Sequence, residues 1–272
     1  MPKSNKTLSS DTTGTNIRSV AKAFNILEFL SLQQEPCRLT DISHALDMPA
    51  STVIRFLSTL INMGYVSQAP DSEKYFATLK LCGISEKIAR GFDICDVARP
   101  YIKQLSALCR QTICLAAEHN HKVYYESILL ISDKQSISAL RRVGQLLPYH
   151  CTDVGKIFLA AKTSQQLQNI FASSHFQKYT AGTITDLSHL QEEIDIIRST
   201  RCAYDREEFS IGVSGFAVPI YNYSGHVVAA LSICGLSSQM TPEFEARYMP
   251  SLVDSAACIS ASLGAPVTAE KY

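Results

Sequence analysis

Apolar residues recur at helical spacing through the N-terminal part of the chain, and then the period changes. From 20 to 32, Val20, Phe24, Leu27 and Leu30 share one side of a helix and leave Lys22, Asn25 and Glu28 outward. After a break at Pro36, the stretch LTDISHALDM offers Thr40 as an N-cap with Ile42, Ala45 and Leu46 on one side, which predicts a short second helix. It stops before Pro49, because the residue preceding a proline is driven out of the helical region and Met48 must turn. A third helix begins with Ser51 as its cap and runs to Met63, where Gly64 supplies the stop. Its inner face holds Val53, Phe56, Leu57, Leu60 and Ile61, and its opposite stripe holds Ser51, Arg55, Ser58, Thr59 and Asn62. YVSQ and YFATL, around a turn at APDSEK, then read as a small hairpin. Helix, helix, turn, helix, hairpin is the order of a winged helix-turn-helix.

A further helical stretch over 79–92 leads into a region of different period. TICLAAEHNHKVYYESI reads as two strands turning at His119 to His121, SISALRRVG as a third strand, and GFAVPIYNYSGHVVAALSIC as a hairpin turning at Asn222 to Gly225. Helices are predicted over 100–109, 155–161, 164–172, 187–198 and 242–263. The whole is an α+β chain whose C-terminal part is an antiparallel sheet flanked by helices. Four regions follow: a polar tail over 1–16, a winged helix-turn-helix over 17–79, a linker helix over 80–93, and a second domain over 94–272.

Composition narrows the function. With 272 residues and 46% hydrophobic content the chain buries a large core. No apolar run reaches the roughly 18 residues of a membrane span, and the polar opening lacks the apolar segment of a signal peptide, so a cytoplasmic protein without membrane contact is expected. The nine cysteines form no CxxC pair, which suits reduced core thiols better than a disulfide framework or a zinc cage. The net charge is zero, so contact with nucleic acid has to come from the placement of single cations such as Arg18, Arg38, Arg55 and Lys74. A helix entering the major groove brings small polar residues and an arginine to base edges while a hydrophobic core holds its other face, and the third helix has that division. Any amphipathic surface helix shares the pattern; the order of the five elements favours the DNA reading.

Three other constellations invite chemistry. His150 and Cys151 are neighbours, but adjacent side chains in an extended segment point apart, and neither an oxyanion motif nor an orienting acid accompanies them. His119 and His121 could ligate a metal, yet two histidines in a hairpin turn suit solvent better. In PYHCTDVGKIFLA, Thr152 can cap a helix whose first amides, at Asp153, Val154 and Gly155, favour an anion such as a ligand carboxylate. An ordinary capped helix is the plainer reading. Asp153 would compete for those amides or repel an anion, and Arg141 or Arg142 would have to compensate. Asp205, opening DREE, reads either as a ligand contact or as a turn-forming or salt-bridged carboxylate.

The segments SVAKAFNILEFL, LTDISHALDMPASTVIRFLSTLINMGYV, RRVGQLLPYHCTDVGKIFLA and YDREEFSIGVSGFAVPIYNYSGHVVAALSICG, in this order, resemble the IclR-type transcriptional regulators from Ile17 onward. GYVSQAPDSEKYFATLKL is most similar to the branch that controls sugar-acid catabolism. The resemblance implies a homodimer or homotetramer on a palindromic operator of double-stranded DNA, read through Arg18, Arg38, Ser51, Thr52, Arg55, Ser58 and Lys74. It further implies a GAF-like domain that senses a small organic acid through Asp153, Val154, Asp205, Gly215, Ser232 and Cys234, with Leu140 and Val143 as the apolar wall. Two departures stand in the reading helix, where Ala50 and Ile54 replace the usual lysine and histidine. Two more stand in the second domain, where Gly215 replaces a cysteine and Cys234 a serine. A ligand-responsive regulator, a repressor of a catabolic operon, without enzymatic activity, cofactor or metal, is therefore expected; the alternatives are a small-molecule enzyme or a protein-interaction module carrying a winged helix.

Overall fold

The computed structural model describes residues 17–91, 93–129, 142–173 and 176–266. The chain divides into two units, the second starting at Asp93. In the first, α1 (Arg18–Ser31), α2 (Leu39–Ala45) and α3 (Ala50–Asn62) pack with a three-stranded sheet of β1 (Cys37–Arg38), β2 (Val66–Gln68) and β3 (Lys74–Ala77) in the order β1-β3-β2. Helix α4 (Lys80–Arg90) follows. The core joins Ile26, Leu27 and Leu30 of α1, Ile42 of α2, Val53, Leu57 and Leu60 of α3, and Val66 and Tyr75 of the hairpin. Leu57 is fully buried, so its truncation to alanine costs about 2–5 kcal/mol.

The ends of these helices differ from expectation. Ser51 does not cap α3: Pro49 holds the cap position, and its carbonyl accepts from Thr52 N at 2.8 Å and Val53 N at 3.0 Å. A proline has no N–H to satisfy there and arrives with a suitable φ, so Ser51 is left inside the first turn. Thr40 likewise lies inside α2, whose start is held by Asp41 Oδ2 accepting from the Arg38 amide at 3.2 Å. Gly64 ends α3 as expected, at a φ of +77° that favours glycine. On α1, Leu27 and Leu30 are buried as expected and Ile26 joins them, while Val20 and Phe24 are exposed, at 51% and 57%. Ala45 is exposed too, leaving Ile42 as the buried residue of α2.

Among the described residues of the second unit is a six-stranded antiparallel sheet, in the order β6-β5-β4-β9-β8-β7. Its strands are β4 (Thr112–His119), β5 (Lys122–Leu129), β6 (Leu146–Leu147), β7 (Ala203–Arg206), β8 (Val213–Tyr221) and β9 (Val227–Leu236). The helices are α5 (Ile94–Cys109), α6 (Asp153–Ala160), α7 (Ser164–Ser173), α8 (Leu187–Thr200) and α9 (Pro242–Ser262). Alternation sorts the central strands into two faces. Ile113, Leu115, Phe216, Val218, Ile220, Leu231 and Ile233 pack against α5 and α9, while Cys114, Ala116, Ala203, Ala217, Ala230 and Cys234 meet α6. Large residues on one face and small ones on the other let α6 approach the sheet closely. Pro219 is tolerated in β8 because β7 pairs no further along it than Ala217, so the missing N–H costs no ladder bond on that side.

The third strand expected at SISALRRVG falls mostly outside the described residues, and Leu140 and Arg141 with it. Cys109, Cys114, Cys151, Cys202 and Cys234 are buried, as expected of core cysteines, but Cys82 and Cys258 are exposed. No described helix is long and apolar enough to cross a membrane.

Candidate DNA-reading helix and effector cluster

Helix α3 turns Ser51, Arg55, Ser58, Thr59 and Asn62 to solvent while Val53, Leu57 and Leu60 anchor its other side. Thr52 is half-buried at the helix start. Ser58 donates its hydroxyl to Ile54 O at 2.9 Å and Thr59 donates to Arg55 O at 3.0 Å, so both present acceptor lone pairs outward. Arg55 is the exposed cation among them. Arg18 is exposed at the start of α1. Arg38 and Lys74 were separate candidates in the sequence; β1 and β3 place them opposite each other as Cα partners. The wing turn itself carries exposed Asp71 and Glu73.

In the second unit the expected effector residues gather under the start of α6, but they are already engaged with one another. Thr152 caps α6, accepting from Gly155 N at 3.0 Å. Asp153 is fully buried, and its Oδ1 accepts from Val154 N at 2.9 Å. Its Oδ2 accepts from the Ser232 hydroxyl, itself fully buried on β9. The amides of Val154 and Gly155, which the sequence offered to a ligand carboxylate, are thus taken by side chains of the same helix start. Gly215 does not leave room for a ligand: a Cβ there would lie 2.7 Å from Asp153 Oδ2 and 3.0 Å from Cys234 Cβ, so the space belongs to the Asp153 carboxylate. Gly155 is required for a similar reason, since a Cβ would fall 2.4 Å from Pro148 O.

Asp205 is buried on β7 in register with Gly215, which pairs in turn with Cys234. Its Oδ1 accepts from Glu208 N at 2.9 Å and Phe209 N at 3.4 Å, holding the turn in which Glu207 takes a φ of +58°. The turn-forming alternative for Asp205 therefore describes one of its oxygens. Cys234 is buried with its Sγ 3.6 Å from Cys114 Sγ. Val143 is 63% exposed and forms no apolar wall.

Sequence reasoning missed Lys156. It is fully buried on α6 and donates to Glu208 Oε1 at 2.8 Å and Glu193 Oε1 at 3.0 Å. Burial alone would lower its pKa, but the two carboxylates outweigh burial and raise it. A lysine flanked by Gly155, Ile157, Phe158 and Leu159 was the available signal. Glu208 goes up, because its burial outweighs the lysine beside it, and its Oε2 is buried without a donor among the described residues.

The hydrolase-like pair is inert as arranged. His150 is buried, its Nε2 is 2.9 Å from Gln177 O, and burial lowers its pKa; the Cys151 thiol is pushed up by burial. His119 Nε2 lies 2.7 Å from Glu126 Oε1, and no group of three metal-ligating side chains gathers among the described residues.

Family models decide between the readings. The IclR helix-turn-helix domain matches residues 19–70, and the bacterial transcriptional regulator IclR C-terminal domain matches residues 86–261. The chain belongs to the IclR family. It is similar to the HTH-type transcriptional regulator KdgR of Dickeya chrysanthemi, 32% identical over 249 residues, covering 92% of this chain and 81% of that one. It is also similar to the DNA-binding transcriptional repressor YiaJ of Escherichia coli, 30% identical over 253 residues, covering 91% of this chain and 88% of the other. The crystal structure of Thermotoga maritima IclR superimposes with a TM-score of 0.60 at 27% identity, covering 92% of this chain and all of that one. As an IclR-family member the chain is a ligand-responsive, DNA-binding transcriptional regulator and not an enzyme.

Proposed function

We propose that the protein is a cytoplasmic repressor of a catabolic operon that binds a palindromic operator as a homodimer or homotetramer and changes its DNA affinity when a small hydroxylated organic molecule enters the second unit. The observation that carries the reading is the division of α3: Ser51, Arg55 and Ser58 outward, and Val53, Leu57 and Leu60 locked into the core. Arg55 supplies the donor for a base edge, with Ser51, Thr52 and Ser58 beside it. Arg38 and Lys74 stand opposite each other across β1 and β3, where like charges repel until an anion lies between them; a DNA phosphate meets that need. Arg18 serves the backbone in the same way.

Assembly is supported by apolar surface. Ile17, Val20 and Phe24 recur along one exposed stripe at the start of α1, and Ile84 and Ile88 along another on α4, and contiguous exposed apolar surface suits a partner. Two half-sites related by two-fold symmetry also supply the affinity that one winged helix lacks.

The effector is assigned to the second unit, around Asp205, Ser232, Cys234 and the start of α6 at Asp153 and Val154. The buried carboxylates of Asp205 and Glu208 accept hydrogen bonds and suit hydroxyl donors. A sugar acid fits through its hydroxyls, with its carboxylate held away from the amides of Val154 and Gly155. Selection from random duplexes by the purified protein tests the DNA reading: the expected consensus is two-fold symmetric, with half-sites about 34 Å apart or a multiple of it. Recovery of no consensus, or of a single unrepeated half-site with a monomer in light scattering, would overturn it.

A further inference from the structure

The anion position at the start of α6 is built and filled by the same chain. Val154 N–H and the Ser232 hydroxyl both donate to the Asp153 carboxylate, one to each oxygen. Gly215 clears the volume on the sheet side, since any side chain there would collide with Oδ2. Donor from a helix start, donor from β9, and a vacated position on β8 would together suit a small free carboxylate. Here they hold one that is covalently attached.

We propose that Asp153 is the specificity-determining residue of this site: its tethered carboxylate excludes free carboxylates from the anion position and leaves effectors to bind through hydrogen-bond donors, hydroxyl or ammonium. This rests on the assignment of the effector to the same cluster. A second anion brought against Asp153, with Asp205 buried on β7 opposite Gly215, meets repulsion in a region where water does not screen it. A hydroxyl or ammonium group meets acceptors instead. The tether also supplies its occupant at no cost in association entropy, which an exogenous carboxylate has to overcome.

Chemical rescue tests this on the full chain. Asp153→Gly removes a fragment the size of acetate, and Asp153→Ala removes one the size of formate. Each leaves Val154 N–H and Ser232 Oγ as buried donors without an acceptor. The expected result is that acetate, against chloride at equal ionic strength, raises the melting temperature of Asp153→Gly by about 5 °C or more as the seat saturates, and formate does so for Asp153→Ala. The wild type and Asp153→Asn, in which the seat stays filled, should respond to neither. Equal stabilisation of the wild type, or folded variants that ignore both anions, would overturn the proposal. Should a variant fail to fold, its refolding in acetate or formate is the same test: recovery absent from chloride supports the proposal, and equal failure in all three salts sinks it. Operator affinity of Asp153→Gly, measured with and without acetate, separates the two layers of the argument. If acetate fills the seat but leaves DNA binding unmoved, the tethered-anion assignment stands and the effector assignment falls.

Discussion

Lys156 and Glu208, a helix apart from a turn, form an ion pair of 2.8 Å from which water is almost wholly excluded. Glu193 adds a second carboxylate to the same ammonium at 3.0 Å, so α6, α8 and the segment after β7 are tied at one atom.

Removing the lysine strands two carboxylates. Lys156→Met should destabilise the second unit by about 3–5 kcal/mol in urea unfolding, because an uncompensated buried charge costs more than the pair contributes. Adding Glu208→Leu and Glu193→Gln to Lys156→Met should recover much of that loss. A near-neutral single variant would show that Lys156 reaches water when folded.

Arg55→Ala should leave stability within about 0.5 kcal/mol, since the side chain is exposed, and should weaken operator binding by about 1–3 kcal/mol. Gel-shift titration against operator and scrambled duplex checks both the loss and its sequence dependence. Lys74→Ala should instead weaken binding to every sequence and lower the salt slope by about one phosphate contact.

Gly215→Ala should cost about 1–3 kcal/mol, because the added methyl meets Asp153 Oδ2, Cys234 Cβ and Ile233 O at 3.0 Å or less. In an Asp153→Gly background the cost should fall by at least about 0.5 kcal/mol as one of the three neighbours disappears. Additive losses in a double-mutant cycle would mean that the strain lies against the sheet alone.

Burial pushes the Cys202 thiol up to about 12 from an ordinary 9.0. The folded state favours the neutral thiol, so its contribution is complete below the unfolded value and is lost as pH rises through 9.0 towards about 12. Over that window Cys202→Ala should flatten the fall of unfolding free energy with pH by about 1.4 kcal/mol per unit. Parallel curves for variant and wild type would place Cys202 in contact with water.

Helix α3 was legible because a 3.6-residue period over thirteen positions leaves little choice of face, and Gly64 marks its end. The two-residue strands β1 and β6 were not legible, since so short a segment has no period and forms only when its partner is present. In the second unit a cluster of residues was legible, but not what fills it. Thr152, Asp153, Gly215 and Ser232 do converge, yet only the register of β8 with β9 and the approach of α6 reveal that Asp153 fills the gap left by Gly215. Lys156 escaped because its two partners lie 37 and 52 residues away along the chain. Val20 and Phe24 misled in the opposite sense: helical spacing says which residues share a side, not whether that side meets its own core.

The outward stripe of α3 has a consequence for how such a regulator can diverge. Ser51, Arg55 and Asn62 face solvent, and Ser58 and Thr59 lean only on their own helix, so each can change without disturbing Val53, Leu57 or Leu60 behind it. On the proposed assignment of this stripe to DNA, new operator preferences are reachable one substitution at a time, every intermediate remaining folded. Around Asp153 single steps cost more, since its carboxylate fits only where Gly215 leaves the backbone bare. With α3 on the DNA and the effector beside Asp153, as proposed, a lineage of these proteins drifts in the DNA it reads by single steps, while a change in what it senses meets a steeper slope.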